Sequence, residues 1–142
     1  MQRVRHLLAR KGDEVWSIEA DEPVLEAIQI MADRCVGALP VLRGSQLVGV
    51  ISERDYARKV ILQRRSSADT PVWHIMSSPV VTVTPKHSVR ECMQIMTEKR
   101  FRHLPVLVDD KLAGMISIGD CVRTVIEEQE ATIEQLEKFI TG

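Results

Sequence analysis

The feature that most constrains this chain is a duplication: "GALPVLRGSQLVGVISERD", from Gly37 to Asp55, returns as "RHLPVLVDDKLAGMISIGD", from Arg102 to Asp120. At an offset of 65 residues, Val15–Val60 aligns with Val80–Val125 without a gap. "QIM" at 29–31 meets "QIM" at 94–96, and "LPVL" at 39–42 meets "LPVL" at 104–107. Leu47, Gly49, Ile51, Ser52 and Asp55 meet Leu112, Gly114, Ile116, Ser117 and Asp120. The lead-ins match as well, three residues out of register: Val4-x-x-Leu7-Leu8 resembles Val72-x-x-Ile75-Met76. A repeat this regular means one structural unit built twice. A unit of roughly 60 residues buries only about 60% of its unfolded surface alone, so two copies gain by sharing a core.

Each copy has the same local grammar. "VWSI" and "VVTV" are short β-rich runs, each followed by a proline-containing turn (Pro23, Pro85). Val24, Ala27, Ile28 and Met31 fall at i, i+3, i+4 and i+7, as do Val89, Cys92, Met93 and Met96, the apolar stripe of an amphipathic helix. "ALPVL" and "LVGVIS" then read as a hairpin through "RGSQ", and "HLPVLV" and "LAGMIS" as a hairpin through "DDK". A helix follows each Ser-x-x-Asp, predicted over 56–63 in the first copy and from Cys121 in the second. The order is β-α-β-β-α, twice, in a mixed α/β (α+β) fold with pseudo-two-fold symmetry. The expected segments are 1–66 and 67–126 for the copies and 127–142 for a helical extension, with "RRSSADTP" at 64–71 as a polar linker.

The extension places apolar residues at Val122, Ile126, Ile133, Leu136 and Ile140, in alternating steps of four and three interrupted by Gln129. That is heptad spacing, and it predicts a helix packing on a second subunit rather than only across its own domain.

Composition excludes several classes. With 19 Lys and Arg against 20 Asp and Glu, the chain lacks the basic excess of a nucleic-acid binder. No apolar run approaches the roughly 18 residues of a membrane span, and the charged start "MQRVRHLLARKGDEVW" has no signal core. Three cysteines without CxxC spacing (Cys35, Cys92, Cys121) argue against a disulfide framework and for the cytoplasm. No His or Cys pair has metal-ligand spacing, and no nucleophile–base set, GxGxxG or Walker loop is present, so neither a metal nor an enzyme is expected.

Two tandem β-α-β-β-α units carrying "LPV…G…ISxxD" resemble CBS domains, a pair of which forms a Bateman module. With no catalytic domain attached, the chain is similar to the stand-alone two-CBS proteins of bacteria of the signal-transduction type. The resemblance implies an adenosine ligand in the cleft between copies: AMP foremost, with ADP, ATP, NAD and S-adenosylmethionine as alternatives. It also implies cavities of mixed parentage. Ser52 and Asp55 would face Val80, Val81 and Thr82 together with Arg102, His103 and Leu104. Ser117 and Asp120 would face Val15, Trp16 and Ser17 together with Gly37, Ala38 and Leu39.

The residues themselves allow two readings of Ser-x-x-Asp. A carboxylate accepts hydrogen bonds from a vicinal diol such as ribose, at a strand-to-helix junction where free N–H groups favour phosphate. The same four residues also spell a capping box that satisfies only its own helix. The resemblance favours ribose. At the position where Gly37-Ala38 becomes Arg102-His103, folding does not demand the basic pair: a guanidinium with an imidazole suits phosphate, and the pair also reads as a solvated part of the charged loop "EKRFRH". Arg54 and Lys11 are candidates for further positive charge or for plain solvated side chains, and Trp16 for stacking on a base or for ordinary core. The expected function is a regulatory module binding adenine nucleotide, working as a homodimer with a regulated protein partner. The alternative is a constitutive interaction module without ligand.

Overall fold

Strand-forming residues alternate with turn formers along both copies, and the chain folds accordingly. The computed structural model describes residues 2–12 and 14–141; the outermost residues of the expected segments, Met1 and Gly142, lie outside them. In the first copy, β1 (Ile18–Glu19) pairs parallel to β2 (Ala38–Arg43), which pairs antiparallel to β3 (Gln46–Ser52). Between β1 and β2 runs α2 (Val24–Arg34), burying Val24, Ala27 and Met31. The second copy repeats this with α5 (Val89–Lys99), β4 (His103–Val108) and β5 (Lys111–Ser117). Its hairpin turns through Asp109 and Asp110, both left-handed (φ 51° and 63°), as a type I′ connection requires.

The predicted opening strands are shorter than expected. "VWSI" contributes only Ile18, which pairs together with the following Glu19, and "VVTV" only a single parallel bridge from Val83 to Val106. The Val83 N–H still donates to the Pro105 carbonyl, and its own carbonyl accepts from the Leu107 N–H. The parallel contact is therefore kept, at the length of one residue. The helices after Ser-x-x-Asp begin earlier than predicted. α3 (Glu53–Tyr56) starts directly after Ser52 and runs into a π-helical turn, Ala57–Ile61, while α6 (Ile118–Thr141) starts directly after Ser117. In both cases the serine is the last strand residue, and its side chain already accepts the N–H of the aspartate three residues on.

The lead-in helices are exchanged between the halves. α1 (Val4–Lys11) buries Val4 and Leu7 among Val83, Val89, Cys92, Leu104 and Ile116 of the second copy. α4 (Val72–Ile75) buries Val72 and Ile75 among Ile18, Val24, Leu39, Val41 and Ile51 of the first. Glycines mark both seams. A Cβ on Gly49 would meet the Met76 sulfur at 2.5 Å, and one on Gly114 would meet Leu8 Cδ2 at 2.5 Å. Fully burying an aliphatic side chain is worth about 1.5–3 kcal/mol, so each exchanged helix contributes substantially to the half that receives it.

α6 packs through Cys121 and Thr124, and is tied to the chain start by the Arg10–Glu127 ion pair and the Gln2 N–H donating to Glu128 Oε1. Beyond that point Ile133, Leu136, Phe139 and Ile140 stand 54–87% exposed. Among the described residues, no helix is long and apolar enough to cross a membrane.

Candidate functional site

Two cavities open where the hairpin of one copy meets the entry segment of the other. The first, about 490 Å³, brings Ser52, Arg54 and Asp55 of the first copy against Val80, Val81, Arg102 and His103 of the second. The second, about 450 Å³, brings Ser117 and Asp120 against Val15, Trp16, Gly37, Ala38 and Leu39, with Lys11. Of the expected lining residues, Thr82 and Ser17 are half-buried outside the lining of either cavity, and Leu104 is fully buried in the second core. Strand alternation explains Leu104: its neighbour His103 takes the cavity side, which turns Leu104 inward. Trp16 lines the second cavity with the Arg34 guanidinium 3.8 Å from its ring centroid, so one ring face is already covered by a cation.

Each aspartate serves its own helix and still borders a cavity. Asp55 Oδ2 accepts from the Ser52 N–H and hydroxyl at 3.0 Å each, while the Asp55 N–H donates to Ser52 Oγ. Asp120 Oδ2 accepts from the Ser117 N–H at 2.8 Å, with the reciprocal bond to Ser117 Oγ at 3.1 Å. The capping box is therefore real in both copies, and it occupies Oδ2. Oδ1 has other partners: for Asp55 an ion pair with Lys59 Nζ at 3.2 Å and Ser77 Oγ at 3.5 Å, for Asp120 Arg123 at 3.9 Å. The cap of each helix thus uses one carboxylate oxygen, Oδ2, and leaves Oδ1 outside it.

The two sites differ electrically. Lys11 Nζ lies 2.7 Å from Asp120 Oδ2 and also donates to the Met115 carbonyl. Burial pushes the Asp120 carboxyl up, but bonds from Lys11 and from the Ser117 amide outweigh it, and the net pKa is lowered. Burial is also the main reason the His103 pKa lies below 6.5, helped by Lys11 and Arg102 and opposed by Asp120. His103 borders both cavities, as does Gly37.

Among the residues that sequence reasoning passed over are Glu53, Arg58, Lys59, Arg100 and Phe101 in the first cavity and Glu14 and Cys35 in the second. The signal for Arg100 was present in the duplication, which sets it opposite Cys35 just as it sets Arg102 opposite Gly37. Cys92 and Cys121 are buried and free, their thiol pKa values pushed up by burial to about 12 and about 11. Among the described residues, no cluster of three His, Cys, Asp or Glu could hold a metal ion.

Comparison with known proteins agrees with this architecture. The CBS domain description matches residues 4–62 and 72–127. A CBS domain-containing protein of Arabidopsis thaliana, CBSX3, which is mitochondrial, is 43% identical over 136 residues; the match covers 92% of this chain and spans 66% of that protein. The structure of a CBS-domain protein from Burkholderia ambifaria superposes with a TM-score of 0.83 at 46% identity, covering 89% of this chain and 93% of that one. The CBS domain pair of protein MJ0100, solved with 5′-methylthioadenosine and S-adenosyl-L-methionine, shares the fold at a TM-score of 0.80 and 21% identity, covering 90% and 98%. With both repeats matched in order along the chain, this protein belongs to the CBS-domain family, as a tandem pair of CBS domains.

Proposed function

We propose that this protein is a regulatory module that binds an adenine nucleotide of the AMP type between its two CBS domains. The observation that carries the proposal is the pair of cavities, each walled by both copies and each bordered by an aspartate whose Oδ1 lies outside the capping box. Volumes of about 490 and 450 Å³ fall within the usual range for small-molecule sites, roughly 300–1,000 Å³. Adenosine ligands bound to the MJ0100 pair support the same class of ligand here. Ribose hydroxyls donate to Asp55 or Asp120, adenine lies against apolar residues such as Val80 and Val81, and Arg102 takes the phosphate. No covalent chemistry is assigned, and the role is binding.

A second copy of the chain covers the exposed stripe of α6 in this reading. Phe139 at 87% and Ile140 at 81% exposure, on a helix of heptad spacing, leave too much apolar surface for a lone helix end. Ligand acts by binding two arrangements of halves or subunits unequally, and a partner protein reads the difference. The three free cysteines fit a reducing compartment such as the cytoplasm.

Calorimetry of the whole chain with AMP, ATP, NAD and S-adenosylmethionine tests the proposal, together with mass spectrometry of any co-purifying nucleotide. Saturable binding of at least one is expected. Uniform silence favours the alternative, a ligand-free interaction module, for which the completed capping boxes and the bare α6 stripe speak.

A further inference from the structure

The duplication allows the charge of the two cavities to be compared position by position. Arg54, Arg100 and Arg102 stand in the first copy–second copy cavity where the matched positions hold Gly119, Cys35 and Gly37. Ordinary structural needs do not explain the difference, because the same scaffold folds at all three positions without a cation. Arg100 even sits in the left-handed region (φ 59°), as Cys35 does (φ 55°), where glycine or asparagine would be easier.

Pairing sharpens the contrast. In the Asp55 cavity, Lys59 is matched to Asp55, leaving Arg54, Arg58, Arg100 and Arg102 with Glu53 as the other carboxylate. Among the described residues, none of those four arginines lies within ion-pair distance of a carboxylate. In the Asp120 cavity, Lys11 is matched to Asp120, leaving Glu14. One cavity therefore carries a surplus of positive charge, the other a slight surplus of negative charge.

The positive cavity also does not end at the first phosphate position. A neighbouring shelf of about 340 Å³, lined by Met96, Thr97 and Ile118, shares Arg54, Arg100, Phe101 and Arg102 with it. Among the described residues, four exposed guanidinium groups facing one unpaired carboxylate, Glu53, give the cavity a positive potential that attracts a polyanion. A single phosphate on Arg102 would leave Arg54 and Arg100 facing water over an empty shelf.

We propose that the two cavities sort ligands by charge: the Asp55 cavity takes an adenosine di- or triphosphate, its outer phosphates on the shelf shared by Arg54 and Arg100, and the Asp120 cavity takes an adenosine ligand without phosphate. This rests on the reading of the clefts as adenosine sites and adds which ligand goes where.

The test is calorimetry of the full chain with adenosine, AMP, ADP and ATP, without divalent cations at low salt. Affinity is expected to rise with phosphate number, by about tenfold or more from AMP to ATP. ATP is expected to fill one high-affinity site per chain, and its advantage over AMP to shrink with added salt. Arg100→Asn, which suits the left-handed position, and Arg54→Gln are each expected to bring the ATP-to-AMP affinity ratio close to one. Equal affinity for AMP and ATP, two equivalent ATP sites, or variants that weaken AMP and ATP alike would overturn the charge division while leaving adenosine recognition standing. Silence towards all four ligands would overturn both.

Discussion

Gly37 and His103 meet at the wall between the two cavities: a Cβ on Gly37 would stand 3.6 Å from His103 Nε2, and both residues border both spaces. The wall is thin because one copy contributes no side chain there. An alanine at 37 would make only ordinary contact, whereas a leucine must push into one cavity or displace the imidazole. Gly37→Leu is expected to weaken both binding events by about tenfold, the scale of overpacking at roughly 1–3 kcal/mol. Titration of wild type and variant with ATP for the Asp55 cavity and with adenosine for the Asp120 cavity reads this directly, and one event left unchanged would show that the wall is not shared.

Asp55 caps its helix through Oδ2 and, in the proposed site, also accepts from the ligand, so its variants should separate the two roles. Asp55→Ala removes the cap as well as the ligand acceptor, and should cost about 0.5–2 kcal/mol of stability and about 1–3 kcal/mol of ligand affinity. Asp55→Asn keeps an oxygen for the Ser52 N–H and should retain most of the stability while losing affinity. Replacing AMP with 2′-deoxy-AMP should weaken binding to the wild type. Equal affinity for the two ligands would leave the carboxylate as a helix cap alone.

Acid stability should carry the signature of His103. Its folded pKa lies below 6.5, so below about pH 6.5 the unfolded chain takes up the proton first. Stability therefore falls as pH drops through this window, and the loss is complete once pH passes below the folded value. His103→Gln is expected to flatten that part of the profile in denaturant titrations. Asp120, with its pKa lowered from 3.8, contributes stability that is lost only as pH falls below that value and on through its folded value.

The two seam glycines should not tolerate alanine equally. At Gly49 the new methyl would meet Met76 at 2.5 Å and also the Ser77 carbonyl at 3.1 Å, a backbone atom held by hydrogen bonds to Val50. At Gly114 it would press on Leu8 Cδ2, the end of a flexible side chain. Gly49→Ala should therefore cost about 1–3 kcal/mol and Gly114→Ala measurably less, by thermal or urea unfolding.

Cutting the α6 stripe tests the proposed subunit contact. Leu136→Glu or removal of residues 130–142 should shift the protein towards monomer in light scattering while leaving the CBS pair folded, since the buried residues of α6 are Cys121 and Thr124. A dimer that persists would place the contact elsewhere.

The repeat made much of this legible. Hairpins, amphipathic helices and the parentage of each cavity follow from apolar spacing and from which positions differ between copies. What spacing does not carry is which half a helix packs on. Val4 and Leu7 read as the start of the first copy, and only the fit of Leu8 over Gly114 assigns them to the second. Nor does it show that His103 serves two cavities at once, because a linear pattern records a residue's neighbours along the chain and not across a symmetry axis. The early helix starts at Glu53 and Ile118 were readable from the caps, which mark a boundary more sharply than the apolar stripe does.

The exchange of α1 and α4 has a consequence for how the molecule can be divided. Severing the chain at 64–71 would leave each fragment holding the plug of the other's interior: one would carry Val4 and Leu7 with nowhere to seat them, the other Val72 and Ile75. Neither piece could close alone, yet the two mixed together would have every part needed, so a split version of this protein would work as a complementation pair and not as two independent modules.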